Sequence, residues 1–239
     1  MVIYEDENII AVNKPAGLLV HKTKPGSGSS EPTLADWILK NHPAIGSVGD
    51  DPETRPGIVH RLDKETSGIM LIAKNQKTFE YLKKQFGDAA ENIRGPGEKK
   101  IKKTYIALLQ GRLKQNEGRI DIPIGRSGKG TRRLAHPKAK GKQRPAVTEF
   151  KVLKKFDEFT LVEARPLTGR THQIRVHFKA LGHPLACDKL YGGKPVCPGG
   201  LARHFLHASS LEFTLLGGMK LRLDASLPND LEKALKSLN

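Results

Sequence analysis

Acidic residues are in short supply in this 239-residue chain: 25 Asp and Glu face 41 Lys and Arg, leaving a formal net charge of +16. The shortage is sharpest between Gly125 and Ala146. There eight cations (Arg126, Lys129, Arg132, Arg133, Lys138, Lys140, Lys142 and Arg144) stand without a single acid and supply half of the excess. A balance this basic suits a polyanionic partner, and nucleic acid is the commonest one. Cysteine is rarer still. Cys187 and Cys197 are the only two, and they fit a reducing compartment better than a disulfide scaffold. No stretch approaches the run of roughly 20 apolar residues that a membrane helix needs. The acidic start, Met1 to Asn8, lacks the basic-then-apolar order of a secretory leader. These absences predict a soluble, cytoplasmic protein with no membrane attachment, long enough to bury an ordinary core.

Two further absences narrow the chemistry. The nine histidines raise the question of metal, but His172 and His177 are five apart and do not share a helix face. His183, Cys187, Cys197 and His204 lack the tight paired spacing of a zinc site. The glycine-rich pieces do not form a phosphate-binding P-loop, which removes nucleotide hydrolysis. We therefore expect neither metal nor cofactor.

What is present reads as an α+β chain. Strands are expected at Met1 to Tyr4, Ile9 to Val12, up to His21, Lys103 to Leu109, Arg119 to Ile124, Val147 to Lys154, Phe159 to Arg165, Phe205 to Phe213 and Met219 to Leu223. Helices are expected after Thr33 as cap, over Gln76 to Phe86, over Thr171 to Leu181, and after Pro228. Strands come in hairpin-like groups and helices are few, so the sheet should be largely antiparallel. No repeat or composition break marks a second domain, which predicts one domain over residues 1–239. The segment 125–146, with no helical or alternating period, reads as an exposed basic loop that closes on phosphates.

The most informative string is His60-Arg61-Leu62-Asp63-Lys64-Glu65-Thr66-Ser67-Gly68. Apolar Ile58-Val59 before it and Ile69 to Ile72 after it predict a strand, a polar turn and a strand, with Asp63 presented among cations. Nearby positive charge favours the ionised carboxylate, which makes Asp63 a ready nucleophile. From the residues alone, an aspartate capping a salt-bridged turn accounts for the string equally well.

The string resembles the signature of the RluA-type pseudouridine synthases. Asn13-Lys14-Pro15-Ala16-Gly17 with His21 resembles the first motif of that family, and Lys103-Thr104-Tyr105 its tyrosine motif. The stretch from Arg165 to His177, continuing through Gly182, Pro184, Asp188 and Tyr191-Gly192, is similar to its third motif. The resemblance implies a single catalytic domain whose mixed, largely antiparallel sheet is split into two halves by an active-site cleft, without the S4 RNA-binding domain many relatives carry. It implies isomerisation of uridines in structured RNA, ribosomal or transfer, with Asp63 as nucleophile. Arg170 would pair with Asp63, and Tyr105 would pack on the base and handle the C5 proton.

A base must leave the stack for this chemistry, and Arg61, two residues before Asp63, would fill the gap or hold a phosphate. Ile174 would form an apolar wall under the uracil or a plain core contact. Lys14 and Lys103 would line the cleft or neutralise phosphates, Arg126, Lys129, Arg132 and Arg133 would contact RNA, and Arg175 and His177 would be helix-face or phosphate contacts. The protein should act as a monomer. Two departures stand out: Cys187 where relatives usually have Gly, and Thr214-Leu215 where His-Pro is common. The rivals are a non-catalytic RNA-binding protein that keeps the fold and a hydrolase with an Asp nucleophile. The first predicts a missing nucleophile, and the second needs an elbow the sequence does not show.

Overall fold

The computed structural model describes residues 1–22, 31–87, 101–127, 132–136 and 143–238. By contacts the chain divides into two compact units. One is Met1–Gly87 with Ser210–Ala225, the other Asp88–Ser209 with Ser226–Asn239.

The first unit is built on β1 (Val2–Glu5), β2 (Ile9–Lys14) and β3 (Ser67–Ala73). Strand β3, with the sequence SGIMLIA, is buried at every position, as a near-continuous apolar run requires. It runs antiparallel to β2, with Ile10 opposite Ile72 and Lys14 opposite Gly68. Helix α1 (Leu34–Asn41) starts at Thr33 through a capping box: the Thr33 hydroxyl accepts from the Asp36 N–H and the Asp36 carboxylate accepts from that of Thr33. Helix α2 (Gln76–Phe86) is capped by Asn75 and buries Phe79 and Leu82.

Before Asp63 the structure differs from the expected hairpin. Ile58 makes only an isolated bridge to Ile72, and residues 59–63 are irregular. Gly57 sits at φ +65°, where a Cβ would meet the Ala73 carbonyl and lie 2.7 Å from the Ile45 side chain. Gly57 still accepts from the Ala73 N–H of β3 at 2.8 Å, but its left-handed backbone does not continue as an extended strand. The strand expected to end near His21 is likewise reduced to one bridge, Leu19 to Thr33.

The second unit holds β4 (Ile101–Gln110), β5 (Glu117–Asp121), β6 (Ile124–Arg126), β7 (Arg133–Ala135), β8 (Val147–Lys155) and β9 (Phe159–Pro166). Strand β9 lies between β4 and β8, and β8 pairs β5, all antiparallel. The strand expected over Arg119 to Ile124 is broken at Pro123, which has no N–H to give a ladder. Helix α3 (Gln173–Ala180) packs Ile174 and Phe178 onto Ala107, Leu109, Phe150 and Val162. It begins two residues later than expected because His172 takes a left-handed backbone at φ 58°. Helix α4 (Asn229–Lys236) buries Leu231 and Ala234 against Leu108, Phe205 and Cys187. Strand β10 (Leu206–Thr214) contributes to both units, and its C-terminal half pairs β11 (Lys220–Asp224). Every ladder named here is antiparallel, so the α+β reading holds.

The basic segment is not wholly a loop. Arg126 and Arg133 face one another across a short β6–β7 ladder, a pairing with too few residues to show a period in the sequence. Arg132 is exposed beside it, while Lys129, Lys138, Lys140 and Lys142 lie outside the described residues. The two cysteines, read as thiols from the sequence, are joined as a disulfide. Cys187 has φ 56°, a left-handed conformation that favours Gly, the residue the resemblance leads us to expect there.

Arg175 and His177, expected on the helix face or at phosphates, are buried instead. The Arg175 guanidinium forks onto Asp188 at 2.8 and 2.9 Å, and Asp188 also accepts from the N–H groups of Leu190 and Tyr191. The His177 ring meets the Thr148 hydroxyl and the Ile122 carbonyl. Burial raises the Asp188 pKa, but the Arg175 hydrogen bond and charge more than reverse this and leave it lowered. The stabilisation from this depressed carboxyl is therefore complete above the ordinary value of 3.8 and is lost as pH falls through the folded value. Asp188→Asn should cost about 3–5 kcal/mol by leaving a buried guanidinium unmatched, and chemical denaturation at pH 7 measures it.

Candidate active site

In the first unit the turn carrying Asp63 is held from beneath by the first motif. Lys14 has no exposed surface, and its Nζ donates to the carbonyl oxygens of Pro15 (2.8 Å), Leu18 (2.9 Å) and Lys64 (3.0 Å). The Gly17 N–H reaches the same Lys64 carbonyl at 2.9 Å. One residue after Asp63 the backbone is thus gripped twice. The role expected for Lys14 at RNA is corrected accordingly: its ammonium is enclosed and its donors point at backbone. The Thr66 N–H closes the turn onto the Asp63 carbonyl, and Lys64 pairs at the surface with Glu31.

His60 fixes the other side. Its Nε2 accepts the Leu71 N–H at 2.9 Å, and its ring stacks on Phe86 at 4.3 Å. Asp63 itself is half-buried, and Arg61 beside it is exposed, with its guanidinium 3.4 Å from His21 Nε2. Burial, then the Arg61 charge, lowers the His21 pKa. The shift disfavours a second positive charge beside Arg61. His60 was not singled out from the sequence; a ring between two apolar runs was its only signal.

In the second unit Tyr105 lies on β4 opposite Ala164 and rests on the core cluster that contains Ile174 and Phe178. Ile174 is only 5 % exposed. It belongs to that core cluster, in line with the core contact offered as its alternative role. Lys103, two residues before Tyr105 on β4, donates to the Thr168 carbonyl at 2.9 Å. Burial and then the Arg170 charge push its pKa down to about 8.

Arg170 is placed by a residue the sequence reading passed over. The Gln173 side chain is buried with all its hydrogen-bonding directions used. Its Oε1 accepts from the Thr168 hydroxyl (2.6 Å) and the Arg170 N–H (3.0 Å). Its Nε2 donates to the Val147 carbonyl (2.9 Å) and the Thr148 hydroxyl (3.0 Å). Gln173 is the first helical residue, and its side chain closes the turn that precedes the helix and does not cap the helix itself. The Arg170 Nε donates to the Pro145 carbonyl at 3.1 Å, which gives the guanidinium a fixed direction. Among the described residues no group of three or more His, Cys, Asp or Glu could hold a metal ion, and no helix is long and apolar enough to cross a membrane.

Two outcomes follow. Lys14→Met should lower stability by roughly 3 kcal/mol, because three carbonyls lose a charged donor; thermal and denaturant unfolding report it. Between pH 8 and 10.5 Lys103 is neutral when folded and protonated when unfolded, so its contribution makes stability rise with pH there. Lys103→Met should remove that rise in a pH series of unfolding curves.

Comparison with known proteins supplies the family. A family model described as RNA pseudouridylate synthase matches residues 8–180, a span that includes Asp63, Tyr105 and Arg170. An uncharacterized RNA pseudouridine synthase of Bacillus subtilis is 38% identical over 99% of this chain and 72% of its own length. A ribosomal large subunit pseudouridine synthase D of Nitrosomonas europaea is 38% identical over 99% of this chain and 64% of its own. An RNA pseudouridine synthase of Aquifex aeolicus is 44% identical over 81% and 56%, so the chain spans between about half and three quarters of these relatives. The solved human RNA pseudouridylate synthase domain containing 1 shares the fold, with a TM-score of 0.72 over 95% of this chain and 83% of that one at 24% identity. The chain belongs to the RNA pseudouridylate synthase family, whose members isomerise uridines in RNA to pseudouridine.

Proposed function

We propose that this protein converts uridines of large-subunit ribosomal RNA to pseudouridine, with Asp63 as nucleophile. The observation that carries the reading is the family match over residues 8–180. Several relatives matched over 99% of this chain carry the name ribosomal large subunit pseudouridine synthase D, which favours ribosomal over transfer RNA as substrate. In the reaction the bond from N1 to the ribose C1′ breaks and a bond from C5 to C1′ forms. The C5 proton leaves and N1 gains one, so electrons balance without a redox partner.

Asp63 holds one fragment through the break, on a turn clamped by Lys14 and Gly17. The family resemblance gives Arg170 the role of the active-site cation. Tyr105 packs on the uracil and takes the C5 proton. Arg61, exposed beside Asp63, fills the space the flipped base leaves. Lys103, Arg126, Lys129, Arg132 and Arg133 contact the RNA backbone. We read the protein as a cytoplasmic monomer, following its substrate and its own core.

Asp63→Asn should reduce release of tritium from C5-tritiated RNA to background while RNA affinity changes less than about threefold. Turnover retained in that variant would remove Asp63 from the mechanism.

A further inference from the structure

Beside Arg170 the second unit contains a cavity of about 470 Å³ lined by Arg126, Arg133, Arg144 and Arg170, with Ile124 and Thr171. Among the described residues its lining holds four guanidinium groups and no carboxylate. We infer that this cup is a binding subsite for consecutive phosphodiesters of the RNA strand next to the target uridine. The inference rests on the synthase reading for the identity of the strand, and on the cup alone for the chemistry.

Three observations carry it. Arg126 and Arg133 are direct cross-strand partners in β6–β7. Like charges placed opposite one another destabilise a ladder, so the pairing is favoured when an anion lies between them. The cup is also built rather than incidental. The Arg133 N–H donates to the Tyr191 hydroxyl at 3.0 Å, and that hydroxyl meets the His172 ring at 2.8 Å. Tyr191 is 7 % exposed. Arg144 is locked to Ile124 by reciprocal backbone hydrogen bonds of 2.9 and 3.0 Å, and the neighbouring Pro145 carbonyl holds Arg170. All four arginines are therefore tied to backbone that cannot drift independently.

The volume supplies the third argument. A space of this size suits a ligand of many atoms rather than a single small ion. Guanidinium forks match phosphate oxygens bidentately, and four of them suit more than one phosphodiester. Contacts of this kind set register and affinity without reading bases. Arg170 belongs both to the cup and to the proposed reaction centre, so phosphates seated here fix how far along the strand the reacting uridine stands. The cup is thus a ruler on the backbone and does not select neighbouring bases.

The test uses the full chain and RNA hairpins in which the phosphodiesters flanking the target uridine are native or replaced by uncharged methylphosphonates. Arg126→Gln/Arg133→Gln should weaken binding of native RNA at least about tenfold and lower the salt slope of log affinity by about 1.4, at roughly 0.7 per single-strand phosphate. Methylphosphonate substitution should weaken the unmodified protein similarly and weaken the double variant clearly less, since only Arg144 and Arg170 remain in its cup. Arg126→Lys/Arg133→Lys, which keeps the charges, should retain the slope and guards against a folding defect. The proposal is overturned if the double variant loses the same affinity for charged and uncharged backbones, or if its salt slope is unchanged. Because every readout is binding, absence of C5 tritium release on any RNA would refute the synthase reading without touching the cup.

Discussion

A lysine with no exposed surface can keep its charge only if its donors are fully taken, and at Lys14 three backbone carbonyls do this. The constraint has consequences well beyond one hydrogen-bond set. Two of the carbonyls belong to the turn that follows β2, and the third belongs to Lys64, fifty residues on. The ammonium therefore ties the first motif to the backbone next to Asp63. With the Gly17 N–H on the same oxygen, the turn is held directly beside the carboxylate we propose as nucleophile.

The second unit solves the same problem with neutral and charged groups on one helix. Gln173, Arg175 and His177 on α3 are all buried, and together they reach the loop before the helix, β8, the Asp188 turn and the Ile122 carbonyl. Each polar group left without a partner here would cost about 1–3 kcal/mol, so the segments have little freedom to separate. Arg170 inherits its position from this network. The arrangement also explains why Lys103 carries a lowered pKa: it is held half-buried against the Thr168 carbonyl, next to a second cation. A partly neutral lysine in an otherwise basic region makes the field around Arg170 sensitive to pH just above neutrality.

Much of this was legible in the residues. The apolar run of β3, the caps Thr33 and Asn75, and the aromatic spacing of α2 reflect local preferences that burial did not override. The Asp63 string was legible as a presented acid, and its resemblance supplied the role. Other readings went astray where a distant neighbour decides. Ile58-Val59 has strand composition, yet the left-handed backbone at Gly57 leaves it a single bridge. Arg175 and His177 look like surface cations on a basic helix, but Asp188, Thr148 and the Ile122 carbonyl draw them inward. Cys187 and Cys197 read as thiols in a reducing setting, while the turn that Cys187 enters with a positive φ brings them together.

The order of elements, the basic excess and the chemical identity of Asp63, Tyr105 and Arg170 were determined by the sequence alone, because propensity, charge and reactivity belong to residue types and short spacings. Which cations are free to meet RNA was decided only by the tertiary structure. Lys14 and Arg175 are as basic as Arg126 and Arg133, but burial demands partners, and partners come from segments far apart in the chain. Two become internal ties, and two stay on the surface as half of a four-arginine cup.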